Sequence, residues 1–156
     1  MIQHVLFVCT GNICRSPLAA ALLERALKER GLEVTVTSAG TGAWDGAPAS
    51  EGAYLVGLEG GLDLSGHRAR LLNRELVEQA DLILTMARHH RARVDELGGE
   101  GKVFVLGEYA GKGGDEVSDP FGGDLVVYRD TYQELESLAA AVADRLAAES
   151  KRGDRR

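Results

Sequence analysis

The chain has 156 residues, 44% apolar and 27% charged, an ordinary composition for a soluble globular protein, and one domain is expected. Its 18 basic and 24 acidic side chains give a net charge of −6, which argues against general nucleic-acid binding. No apolar run approaches the roughly 20 residues of a membrane span, and no basic stretch precedes the short apolar run near the N-terminus. A cytoplasmic protein without membrane association is therefore expected, and a monomer is the simplest assembly.

The first expected element is a strand over Val5 to Val8, apolar and rich in residues that suit a sheet. Thr10-Gly11-Asn12 interrupts it with turn chemistry. Ser16 can cap the next helix, and Pro17 suits a first helical position, where no backbone donor is needed. That helix is expected from about Pro17 to Arg30, with Leu18, Ala21, Leu22 and Ala26 at helical spacing and Gly31 closing it. Between strand and helix lie Cys9 and Arg15. A loop curling over a helix N-terminus aims backbone N–H groups at one point and makes an anion site. The thiol adds a nucleophile, and the guanidinium adds a bidentate grip on phosphate. The loop is thus expected to hold a phosphate that Cys9 attacks.

Glu33 to Ser38 alternates and is β-branched, so it reads as a second strand, joined to the first by a right-handed crossover. The loop from Ala39 to Pro48 leaves the same sheet edge as the Cys9 loop, where ligands bind in open parallel sheets. It carries Trp44, the single tryptophan, either a packing residue or a wall of the pocket. A helix over Ala49 to Leu58 follows, and the stretch Leu62 to Leu72 has no clear pattern. Asn73 can cap a short helix, Arg74 to Gln79. Ala80 to Met86 reads as a third strand, and Lys102 to Leu106 as a fourth. Between these strands, Ala87 to Leu97 reads as a solvated basic helix whose pair, His89 and His90, lacks metal-ligand spacing.

Gly107 to Ser118 reads as a long polar loop ending in Asp119-Pro120-Phe121-Gly122-Gly123. Asp124 can cap a last helix, Leu125 to about Ser150, with Leu135, Leu138, Val142 and Leu146 as its inner stripe. Tyr128 and Tyr132 read as packing or surface residues on it. The pattern implies an α/β fold: a single three-layer domain over residues 1–150, with a four-stranded parallel sheet flanked by helices. Residues 151–156 read as a basic, frayed tail. The only cysteines, Cys9 and Cys14, share one loop, too few for a disulfide scaffold and without the ligands of a structural zinc site.

Cys9-Thr10-Gly11-Asn12-Ile13-Cys14-Arg15-Ser16 beside an N-terminal strand resembles the phosphate loop of the low-molecular-weight protein tyrosine phosphatases. Ser38-Ala39-Gly40, His67-Arg68-Ala69-Arg70 and Asp119-Pro120 match further family motifs in the family's order, so the resemblance spans nearly the whole chain. It implies a metal-independent and cofactor-free phosphatase acting on phosphorylated protein. Cys9 resembles the nucleophile, held as a thiolate by the loop N–H groups, the helix N-terminus and Ser16. Arg15 resembles the phosphate clamp, and Asp119 the general acid and base. Thr10, Gly11, Asn12, Ile13, Cys14 and Ser16 would complete the phosphate loop, supported by Asn12, Ser38 and His67. Cys14 resembles the partner that traps oxidised Cys9 as a reversible disulfide.

Other readings stand beside these: a buried inert thiol at Cys9, a turn former at Asp119, a structural histidine at His67. Many family members carry a pair of tyrosines after Asp-Pro, where this chain has Phe121 and Gly122. A bacterial branch shares the Asp-Pro-Phe-Gly-Gly run and includes protein arginine phosphatases, which typically carry Thr at the position of Ile13. Ile13, Trp44 and Phe121 are the expected pocket walls, and an apolar residue at position 13 suits a phenyl ring, so phosphotyrosine is the expected substrate. Arginine phosphatase is the alternative. An arsenate reductase would need cysteines after Cys14, and a non-enzymatic phosphate-binding or thiol-sensor module could dispense with Asp119.

Overall fold

Strand β1 (His4–Cys9) runs through the middle of the sheet, and its alternating side chains divide the core. Val5, Phe7 and Cys9 face one side; Leu6 and Val8 face the other. In the computed structural model, which describes residues 1–113 and 116–154, β1 pairs in parallel with β2 (Thr35–Gly40) and β3 (Leu82–Thr85). β4 (Val103–Val105) pairs in parallel with β3, giving the order β2-β1-β3-β4. The chain moves from β1 outward to β2, then returns past β1 to β3. The order therefore reverses beside the C-terminal end of β1, where open α/β sheets form their ligand crevice.

One face is covered by α1 (Arg15–Glu29), α2 (Glu51–Glu59) and α6 (Leu125–Asp154). Phe7, Leu18, Leu23 and Leu135 are fully buried there, each contributing roughly 1.5–3 kcal/mol of transfer free energy. The other face is covered by α3 (Arg74–Gln79) and α4 (Arg88–Glu96), through Val77 and Val94 against Leu6, Val8 and Ile83. The expected three-layer α/β architecture with four parallel strands is what the chain adopts. The α3 bounds match, and the Asn73 side chain accepts from Leu76 N at 2.9 Å as its cap. Asp124 caps α6 by accepting from Val127 N at 3.1 Å.

Several expectations change. Helix α1 begins at Arg15, so Cys14 takes the cap position without a side-chain cap bond. Ser16 lies inside the first turn, where its hydroxyl is drawn to Cys9 instead. Pro17 also sits in that turn, where its missing N–H still costs no helical bond. The expected loop after β4 opens with a short helix, α5 (Leu106–Tyr109), because Leu106 and Tyr109 are buried against the core. Gly114 and Asp115 of that expected loop, and Arg155 and Arg156 of the tail, lie outside the described residues. Helix α6 continues past Ser150 to Asp154, where a frayed tail was expected. Leu62–Leu72 ends in extended backbone docked on Gly40: Gly40 N donates to Arg70 O at 2.9 Å, and Leu72 N to Gly40 O at 2.8 Å.

Candidate active site

The loop from Cys9 to Ser16 is folded around Asn12. This residue is fully buried and has φ of +56°, a left-handed conformation that Asn tolerates better than most side chains. Its hydrogen bonds hold it there. Its Nδ2 donates to Ser16 Oγ at 2.8 Å and to Ser38 Oγ at 2.9 Å. Its Oδ1 accepts from Arg70 N at 2.9 Å, and its carbonyl accepts from His67 Nε2 at 2.6 Å. Gly40 makes the approach possible, since a Cβ there would collide with the Thr10 carbonyl and lie 2.9 Å from Asn12 N.

Cys9 ends β1 with its thiol buried inside this loop. Asn12 N donates to Cys9 Sγ at 3.3 Å, and Ser16 Oγ lies 2.8 Å from the same sulfur. Because Ser16 Oγ already accepts from Asn12, its own proton is free to point at Cys9. The sulfur thus meets one backbone donor, Asn12 N, and a hydroxyl able to act as a second, and α1 begins beside it. This arrangement sets hydrogen-bonding groups and a helix N-terminus around the sulfur of the candidate nucleophile.

Arg15 is also buried, and Nη1 is anchored by donating to Val117 O at 2.9 Å. Nη2 reaches toward Asp119 Oδ2 at 3.6 Å. The Asp119 carboxylate is half exposed, so the pair adds little stability and an entering phosphate can compete for it. Asp119 Oδ1 accepts from Phe121 N at 3.1 Å, holding the Asp-Pro turn. The turn-forming and acid readings of Asp119 are therefore compatible: one oxygen fixes the turn while the other faces the guanidinium.

Cys9, Thr10, Gly11, Ile13, Cys14, Arg15, Asp119 and Phe121 line a single cavity of about 190 Å³. Asn12 and Ser16 within the loop, and Ser38 and His67 outside it, connect through Asn12 and do not line the cavity. Trp44 does not join them. It is 88% exposed and absent from the cavity lining, on a loop docked on residues 69–71 by Gly46 N to Ala69 O and Leu71 N to Asp45 Oδ1. The expectation of Trp44 as a pocket wall is corrected on that ground. A larger cavity, about 730 Å³, opens at the opposite sheet edge around Gln3, Val34 and Leu146, with no cysteine in its lining.

A family model described as low molecular weight phosphotyrosine protein phosphatase matches residues 4–152. The chain belongs to this family. It is 40% identical over 151 residues to the low molecular weight protein-tyrosine-phosphatase Wzb of Escherichia coli (strain K12), covering 96% of this chain and 99% of that one. It is also 40% identical over 151 residues to a protein-arginine-phosphatase of Geobacillus stearothermophilus, again covering 96% and 99%. The solved YwlE arginine phosphatase from Geobacillus stearothermophilus superposes with a TM-score of 0.89 at 38% identity, covering 96% of each chain. As a member of this family the protein is a phosphatase.

Other parts of this phosphatase site carry no sequence motif. His90, expected on a solvated helix, is fully buried. Its Nδ1 accepts from Ala87 N at 3.0 Å, and its Nε2 lies 2.9 Å from Thr10 Oγ1. Burial, the neighbouring His89 and Arg15 lower its pKa to about 4, against a smaller opposing effect of Glu116 and Asp119. Burial likewise lowers the pKa of His67, opposed by its bond to Asn12 O and reinforced by Arg68 and Arg70. Tyr128 is buried beside Cys14, whose thiol donates to Ser50 Oγ at 3.1 Å and lies 3.4 Å from the Tyr128 hydroxyl. Burial pushes the Cys14 thiol up, and burial with the Cys14 contact pushes Tyr128 up to about 12.

The His90 shift sets a pH dependence. The folded ring stays neutral down to about 4, whereas an unfolded His takes up its proton near 6.5. Its contribution is therefore complete above about pH 6.5 and is lost as the pH falls toward 4, about 2 kcal/mol of it between pH 7 and pH 5. Denaturant unfolding at both pH values should show a smaller loss in His90→Gln than in the natural chain. An equal loss in both would place the acid sensitivity elsewhere.

Proposed function

We propose that the protein hydrolyses phosphotyrosine in protein substrates through a cysteinyl-phosphate on Cys9. The observation that carries the substrate assignment is the apolar mouth of the Cys9 cavity, with Ile13 and the 68% exposed Phe121 in its lining. A phenyl ring can lie against these side chains, and Ile13 offers no hydroxyl to a guanidinium. The phosphoryl oxygens take the loop N–H groups and the Arg15 fork. Cys9 Sγ attacks phosphorus, the bond to the tyrosyl oxygen breaks, and Asp119 gives its proton to that oxygen. Water then attacks the cysteinyl-phosphate, Asp119 takes the water proton, and phosphate leaves the thiolate.

Comparable identity to a relative named as an arginine phosphatase supplies the second reading. Comparing kcat/KM on phosphotyrosine and phosphoarginine peptides decides between them. A preference for phosphotyrosine is expected, and a strong preference for phosphoarginine would overturn the assignment. An arsenate reductase relay finds no cysteine after Cys14.

Cys14 is proposed to protect the nucleophile. Peroxide would convert the Cys9 thiolate to a sulfenic acid, and the Cys14 thiol would then displace water to form a disulfide. Peroxide inactivation should be reversed by added thiol; irreversible loss contradicts this role. Among the described residues no helix is long and apolar enough to cross a membrane, and a cytoplasmic monomer acting on phosphoproteins, without nucleic acid or membrane partners, fits the proposal.

A further inference from the structure

The contact between α4 and the phosphate loop has a fixed direction. A backbone N–H can only donate, so the bond from Ala87 N makes His90 Nδ1 an acceptor. The ring proton of neutral His90 must then sit on Nε2, which donates to Thr10 Oγ1 at 2.9 Å. Thr10 cannot return its own proton to that ring. No other partner of its hydroxyl is found among the described residues, and Thr10 lines the Cys9 cavity together with Arg15 and Asp119. The hydroxyl proton is thus available to an oxygen that enters the cavity.

We infer that Thr10 is a phosphate-contacting residue, its hydroxyl donating to a phosphoryl oxygen of the bound substrate, and that His90 is the positioning residue that aims it. The inference rests on phosphoester hydrolysis in the Cys9 cavity. The buried ring suits this role. Burial, His89 and Arg15 keep it neutral down to about 4 despite Glu116 and Asp119, so its tautomer stays the same across the physiological range. The backbone bond to Ala87 and full burial also fix the ring plane, which a solvent-exposed donor could not do. Thr10 in turn sits one residue after the nucleophile, so its side chain is carried by the same turn that shapes the loop.

The test uses nitrophenyl phosphate as substrate and inorganic phosphate as competitive inhibitor. Turnover by the natural chain checks the hydrolytic reading separately. Thr10→Val keeps the shape and removes the donor. It should raise KM and the phosphate inhibition constant by roughly tenfold, the cost of one hydrogen bond to a charged group, while kcat changes by less than about twofold. Thr10→Ser should restore most of the affinity. His90→Ala should show a similar loss, and the double variant should be no worse than the single ones. A folded Thr10→Val with unchanged phosphate affinity would overturn the inference, as would losses that multiply in the double variant. Should His90→Ala fail to fold, nitrogen NMR of the His90 ring in the natural chain decides the direction of the contact. The neutral Nε2–H form supports the inference, and the Nδ1–H form overturns it.

Discussion

Cys9→Ser should lower kcat by on the order of 10⁴-fold or more, while inorganic phosphate still binds with affinity within roughly tenfold of the natural chain. The split follows from who does what in the loop. The Arg15 fork, anchored on Val117 O, is untouched, and so is the Asn12 scaffold that shapes the backbone. Only the nucleophile changes. A serine hydroxyl is a far weaker acid and nucleophile than a thiol, and Asn12 N with Ser16 Oγ offers hydrogen-bond partners rather than a base. Nothing in the loop can therefore activate the hydroxyl. Steady-state kinetics and phosphate titration together check this; undiminished turnover would remove Cys9 from the mechanism.

Asp119→Asn should lower kcat/KM, which reports the first step, by roughly 10²–10⁴-fold on phosphotyrosine peptides and by much less on nitrophenyl phosphate. Asparagine is the informative replacement. Its Oδ1 can keep the bond from Phe121 N that holds the turn, so the loss reports the proton and not the loop. Nitrophenolate leaves without a proton, whereas a tyrosyl oxygen needs one. An equal loss across leaving groups would mean that Asp119 acts through the turn or through Arg15 instead.

The strands, the parallel sheet and the phosphate loop were legible because each is carried by local pattern. Val5 to Val8 alternates between the two halves of the core, and the turn chemistry of Thr10-Gly11-Asn12 stops the strand where the loop begins. Asp119 was legible through its proline turn once the loop had given it a context. His90 was not, because a run of charges around it reads as a solvated face. The signal that could have found it is Val94, one turn further on, which marks the same buried face of α4. Tyr128 had a similar signal in its alignment with Leu135, Leu138 and Val142 along α6. Arg70 contributes through its backbone N–H to Asn12, a role that no side-chain motif records. Trp44 failed for the opposite reason. Its composition marked a loop at the right edge, but the docking of that loop on Ala69 and Leu71, distant in sequence, leaves Trp44 outside the cavity lining.

The most direct test of the account is chemical trapping of the intermediate. Asp119→Asn should release the first product from nitrophenyl phosphate yet be slow to activate the water of the second step. Mixing it rapidly with that substrate, quenching, and mapping the modified peptide by mass spectrometry should place the phosphoryl group on Cys9. Quenched enzyme carrying no phosphoryl group at Cys9 under turnover, or carrying it on another residue, would contradict the account.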